Sequence, residues 1–171
     1  MNESKKLVLA TGNLGKIQEL EVLLAEIGIS IIPQGKLNIP DIEETGLTFV
    51  ENAILKARNA SRLANLPALA DDSGLEVDFL NGAPGIYSAR FSGAQANDKS
   101  NRDKLLIELA SASPEKRNAR YQAVLVYLRH TNDPTPIICQ GTWEGSIALE
   151  ERGDQGFGYD SIFYVPETNC H

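Results

Sequence analysis

The chain has 171 residues, 42% of them hydrophobic and 23% charged, which is the range of one soluble globular domain, or two small lobes sharing a core, and argues against disorder. Lys and Arg number 16 against 23 Asp and Glu, a formal net charge of -7. That balance repels a polyanion such as a nucleic-acid polymer, although a few local cations or a bound divalent metal can reverse the potential inside a cleft. No run approaches the roughly eighteen uninterrupted apolar residues that a membrane span needs, so no membrane partner is expected.

A chain of this length buries roughly 70% of its unfolded surface and needs neither disulfides nor a structural metal to fold. Cys139 lies in a hydrophobic run and Cys170 is next to the last residue, with no CxxC and no Cys/His pair at zinc spacing. A reduced compartment, the cytoplasm, follows as the expectation.

In chain order, Lys6 to Ala10 is a short apolar run ending in Thr11-Gly12-Asn13. Ile17, Leu20, Leu24 and Ile27 then recur at helical spacing before Gly28, predicting strand, turn and helix. Ile29 to Ile32, closed by Pro33, predicts a second strand and a βαβ-like opening, whose first loop is where α/β proteins place ligands. Thr48-Phe49-Val50-Glu51 is a capping-box pattern, and Ala53, Ile54, Ala57, Ala60 and Ala64 continue it as a helix up to Pro67. Asp71-Asp72-Ser73-Gly74 reads as a tight loop before a strand over Leu75, Val77 and Phe79, which ends at the Asn81-Gly82 turn. Asn81 to Gly93 reads as irregular, Asn101 to Ala110 as helix and Tyr121 to Leu128 as a nearly all-apolar strand. Two strands, Ile137 to Trp143 and Ile147 to Leu149, are expected on either side of Glu144-Gly145, and a glycine-rich stretch then leads to a last strand over Ile162 to Val165. With no internal repeat or linker, one domain is expected.

Three segments can carry chemistry. Thr11-Gly12-Asn13-Leu14-Gly15-Lys16 offers helix N-terminal N–H groups and a lysine to a phosphate. Two residues separate its glycines and Ile17 follows the lysine, so it is not a Walker A loop, and alone a glycine turn before a helix is more often only a turn. Asp41, Glu43, Glu44, Asp71 and Asp72 could hold Mg²⁺, which takes oxygen ligands and shares them with substrate phosphates. The same acids also suit helix N-termini and turns. Gly156-Phe157-Gly158-Tyr159-Asp160 could stack on a base and read its edge, or could turn its aromatics into the core. His130 and His171 have no partner at metal or triad spacing, so a serine-type triad is unsupported.

LVLATGNLGKIQEL, EETGLTFVENAILKAR, ALADDSGLEVDFLNGAPGIYSARFSG, RYQAVLVYL and GFGYDSIFYVP, in that order, resemble the ITPase family of nucleoside triphosphate pyrophosphatases. The resemblance implies an α/β fold with an elongated mixed central sheet and flanking helices, two lobes around a cleft, and usually a homodimer. It implies hydrolysis of ITP, dITP and XTP to the monophosphate and pyrophosphate. By the same resemblance the Thr11, Gly12, Asn13, Leu14, Gly15 and Lys16 loop would bind the triphosphate, with Lys56 as a second cation. Glu43 or Glu44, together with Asp72, would hold Mg²⁺, and Asp72 would also accept the proton of the attacking water. Ser73 would touch the substrate, while Phe157, Gly158, Tyr159 and Asp160 would surround the base. Family members usually continue past the FxVP segment to a Ser-His-Arg motif that closes on the base, whereas this chain stops at His171. The expectation is therefore one ITPase-like domain without that segment and with weaker base selectivity. A Maf-like pyrophosphatase for other nucleotides and a non-catalytic nucleotide sensor are the alternative readings.

Overall fold

The computed structural model describes residues 5–153 and 156–166. Six strands, β1 (Lys5–Ala10), β2 (Ile29–Pro33), β3 (Ala68–Val77), β4 (Asn118–Leu128), β5 (Ile137–Ile147) and β6 (Phe163–Tyr164), form one sheet in the order β2-β1-β3-β4-β5-β6. β1 runs parallel to β2 and to β3, whereas β5 and β6 are antiparallel, so the sheet is mixed, as expected. The helices are α1 (Leu14–Ala25), α2 (Phe49–Ala64) and α3 (Asp98–Glu108). The chain forms two compact units, Met1–Asp72 with Val124–Gln140 and Ser73–Ala123 with Gly141–His171.

In the first unit, successive residues of a strand point to opposite faces, so the unbroken apolar run of β1 requires cover on both sides. Leu7, Leu9 and Leu69 pack with Ile17, Leu20 and Leu24 of α1. On the other face Val8, Ala10, Ala68 and Ala70 pack with Ala53, Ala57 and Ala60 of α2. The Thr48 hydroxyl caps α2 by accepting from the Glu51 N–H at 3.2 Å, and the Glu51 carboxylate accepts from the Leu47 N–H at 2.9 Å. Asn13 caps α1. Both starts agree with the sequence patterns.

In the second unit, Leu75, Val77, Leu105, Leu109, Ile147, Ile162 and Phe163 form the core. Arg117 is almost wholly buried and donates to the carbonyls of Leu109, Ile147 and Ala148, each at 2.8 Å. It thereby ties the end of α3 to the end of β5.

Two expectations are corrected. The Asp71-Asp72-Ser73-Gly74 segment is not a tight loop but the middle of β3. β3 runs on past its pairing with β1, which ends at Ala10↔Ala70, with β4 as its other neighbour in the sheet, and lysines answer the two acids, so turn chemistry is overridden. The two strands expected on either side of Glu144-Gly145 are one strand, β5. Gly145 does not break it because its missing side chain admits a neighbour. A Cβ there would lie 2.6 Å from the Phe163 ring and from the Tyr164 carbonyl oxygen. Cys139 is exposed on β5 despite its apolar neighbours, while Cys170 and His171 lie outside the described residues.

Candidate active site

The first unit gathers cations and carboxylates around the start of α1 and the middle of β3. After β1, the Thr11 hydroxyl accepts from the Asn13 N–H at 3.3 Å, and the Asn13 side chain accepts from the Lys16 N–H at 3.2 Å. The N–H groups of Leu14 and Gly15, in the first turn of α1, have no carbonyl partner within the helix by geometry. Gly12, Asn13 and Leu14 are exposed, and Thr11, Gly15 and Lys16 are half-buried, so this turn presents its donors outward. The Lys16 ammonium is paired with one carboxylate oxygen of Asp71.

Lys56 projects from α2 and donates to Glu44 at 2.9 Å and to Asp72 at 2.8 Å. Asp71 and Asp72 are 6% and 8% exposed, and the lysine partners offset the cost of burying their carboxylates. Burial pushes the Asp72 carboxyl up and the Lys56 ammonium bonded to it pulls it back, with a net rise above the usual carboxylate range. Burial draws Lys56 down, but its bonds to Asp72 and Glu44 outweigh that and leave it above the ordinary lysine value. One oxygen of each aspartate, Asp71 Oδ1 and Asp72 Oδ2, is buried without a hydrogen-bond partner. Such an oxygen normally has one.

The expected residues are therefore separated by the structure. Glu44 joins the Lys56–Asp72 network, whereas Glu43 is exposed. Asp41 accepts from the Gln34 amide at 2.5 Å and is itself exposed. Ser73 follows Asp72 on β3 and is half-buried. Asp71 as the partner of Lys16 was not read from the sequence; the pair is separated by 55 positions, and only the doubled acid in DDSG hinted at it. Among the described residues, no three His, Cys, Asp or Glu side chains converge on a common point that could hold a metal.

In the second unit the Phe157 to Asp160 segment is tied down internally. Gly156 has φ +84, and a Cβ there would lie 2.5 Å from Asp160 Oδ2, so only glycine fits. The Asp160 carboxylate accepts from the Phe157 N–H and from the Tyr121 hydroxyl, both at 2.9 Å. Tyr121 is pushed up by burial and by the Asp160 charge, which keeps its proton on the donating oxygen. The Tyr159 ring is buried and its hydroxyl donates to the Ser88 carbonyl at 2.8 Å. Phe157 is 44% exposed. Of the three side chains expected around a base, Phe157 alone presents a free face, and Tyr159 turns into the core.

A mixed sheet with a helix N-terminus at the end of β1, and buried lysine–carboxylate pairs joining β3 to α1 and α2, defines an α/β protein and agrees with the fold that the resemblance to the ITPase family implies. The comparisons agree in sequence and in fold. A HAM1 protein of solved structure from Coxiella burnetii is similar with a TM-score of 0.91 and 49% identity, covering 97% of this chain and 84% of its own. The dITP/XTP pyrophosphatase of Photobacterium profundum is 56% identical over 165 residues, which is 96% of this chain and 84% of the relative. That of Pectobacterium atrosepticum is 58% identical over 163 residues, 95% and 83% respectively. The Ham1 family pattern matches residues 7–171, and the chain belongs to the Ham1 family.

Proposed function

We propose that the protein hydrolyses noncanonical purine nucleoside triphosphates, dITP, XTP and ITP, to the monophosphate and pyrophosphate. The observation that carries this reading is the Glu44–Lys56–Asp72 network. It places a buried, unpartnered carboxylate oxygen next to a lysine, in a chain whose relatives at 56–58% identity are named dITP/XTP pyrophosphatases.

The triphosphate carries about four negative charges at neutral pH. In this reading its oxygens take the N–H groups at the start of α1, in the loop Thr11, Gly12, Asn13, Leu14 and Gly15, and the ammonium groups of Lys16 and Lys56. Water attacks the α–β anhydride, one P–O bond forms as another breaks, and pyrophosphate leaves with the bond's electron pair. Asp72 takes the proton of that water. A carboxylate held above the ordinary range is a stronger base than a free aspartate and still gives up its proton readily. Lys16 and Lys56 neutralise charge that grows on the departing pyrophosphate. Ser73 contacts the substrate, and Phe157, Gly158, Tyr159 and Asp160 serve the base, with Phe157 supplying the stacking face.

The residues fit a divalent cation. Asp72 Oδ2 is a buried acceptor without a protein partner, Glu44 shares Lys56 with it, and the exposed Glu43 is the less suited of the two glutamates. Two protein carboxylates completed by phosphate oxygens and water suit Mg²⁺, which seldom uses an all-protein cage. When bound there it would supply Lewis-acid charge stabilisation and a more acidic water. We further read the chain as one functional domain that works as a homodimer in the cytoplasm. Two cysteines in 171 residues suit that compartment, and no helix among the described residues is long and apolar enough to cross a membrane.

A panel of nucleoside triphosphates assayed with Mg²⁺, scoring pyrophosphate and orthophosphate separately, tests the reading. Pyrophosphate from ITP, dITP and XTP, abolished by EDTA and restored by Mg²⁺, is expected. Orthophosphate as the first product would refute the bond assignment, and full activity in EDTA would refute the metal.

A further inference from the structure

Helix α3 grips the segment that carries Phe157. The carboxylate of Asp98 accepts from the Gly158 N–H at 2.8 Å, and the guanidinium of Arg102 donates to the Gly158 carbonyl at 2.8 Å. Asp98 and Arg102 are four apart and so lie on one face of the helix. They hold the same residue by both of its backbone polar groups. The second arm of Arg102 pairs with Glu151 at 3.2 Å, so one planar fork ties the chain ahead of the glycine-rich stretch to the chain within it. The support is stiff. Asn97 and Ser100 close a reciprocal capping box at the start of α3, and Leu105 and Leu109 at its other end are completely buried.

The clamp matters because of what it holds. Phe157 stands between Gly156 and Gly158, at φ +84 and +60, and glycine by itself restricts the backbone least of all residues. The Asp160 carboxylate and the Tyr159 hydroxyl are engaged inside the unit, which leaves the Phe157 ring as the exposed recognition element of the segment. Its orientation therefore depends on the contacts that fix Gly158.

We propose that Asp98 and Arg102 are positioning residues that set the orientation of Phe157 toward the purine, and through it the selectivity for the base. This rests on the reading of the Phe157 segment as the base-binding element.

The test is steady-state kinetics with ITP, together with inhibition by inorganic tripolyphosphate, which has no base. Asp98→Ala and Arg102→Ala should each raise KM for ITP roughly tenfold, the worth of one hydrogen bond to a charged group. The inhibition constant of tripolyphosphate should stay within about twofold, because a positioning effect at the base does not reach the phosphates. Arg102→Lys, whose single ammonium cannot reproduce the fork, should fall between wild type and Arg102→Ala. Phe157→Ala should raise KM similarly, and Arg102→Ala added to it should add little, since the two act through one contact. If Phe157→Ala raises KM but Asp98→Ala and Arg102→Ala do not, the clamp is refuted while the base-binding reading stands. If none of the three raises KM, the base-binding reading itself fails. A parallel rise in the tripolyphosphate constant would show a general structural effect and would also overturn the proposal. Asp98 is exposed in the first turn of α3, so its variant keeps the test decisive should Arg102→Ala not fold.

Discussion

Replacing Lys56 by Met removes the ammonium that Glu44 and Asp72 share while keeping an unbranched apolar stem of similar length. The Lys56 side chain is 18% exposed and those of its partners 22% and 11%, so solvent screens the exposed carboxylates only partly. Removing one member of such a pair leaves uncompensated buried charge and costs about 3 kcal/mol in stability, at the low end of the range for buried pairs. In the proposed reading the substrate loses one charge-assisted contact worth about 1.5–3 kcal/mol, which converts to a fall of roughly 10- to 100-fold in kcat/KM. The pH dependence is the sharper check. Lys56 sits above its ordinary pKa, so its contribution is complete at all pH values below the free lysine pKa and is lost only above the folded one. In the variant, Asp72, already raised by burial and by the Glu44 charge, relaxes by taking up a proton. The variant should therefore regain stability as pH falls toward the carboxylate range near 4. Urea denaturation at pH 7.5 and 4.5, with pyrophosphate release assayed at pH 7.5, measures both effects. A stability gap of equal size at the two pH values, or a kcat/KM within threefold of wild type, would refute the shared-ammonium argument.

Three other outcomes follow from the same geometry. Asp72→Asn, which keeps size and hydrogen bonding but removes the proposed base, should lower kcat at least ~100-fold, read as pyrophosphate release under saturating substrate; a fall below tenfold would place the base elsewhere. Gly145→Ala should destabilise by about 1–3 kcal/mol, because its Cβ would lie 2.6 Å from the Phe163 ring and the Tyr164 carbonyl, and a Tm unchanged by calorimetry would contradict the close packing of β5 on β6. Asp133 accepts from Arg129 and from the Arg129 and Thr135 N–H groups, which hold its carboxyl far below the usual range. Its contribution is present above the free aspartate pKa and lost on acidification, so the difference in urea midpoint between wild type and Asp133→Asn should narrow from pH 5 to pH 2, and a constant difference would show that charge is not its cause.

The elements that sequence determined are those whose cause is local. The alternation-free run of β1, the Asn13 and Thr48 caps, and the alanine face of α2 each depend on residues within a few positions of one another. The ordered match along the chain also brought out Lys16, Lys56 and Asp72 as a set. Tertiary structure decided the rest. Asp71-Asp72-Ser73-Gly74 has the composition of a turn, and it is a strand because β3 runs on past the end of β1 with β4 as its other neighbour in the sheet and because lysines 55 and 16 positions earlier reach its carboxylates. Glu44 and Glu43 are adjacent and chemically alike, yet only the path of the chain before α2 turns one of them toward Lys56. Tyr159 and Phe157 are likewise two residues apart in a glycine-rich segment, and contacts with Ser88, Asp98 and Arg102 bury the first and expose the second. Helix and strand periodicity arises from neighbours along the chain, whereas burial, charge pairing and the resulting pKa shifts arise from groups that only folding brings within hydrogen-bonding distance.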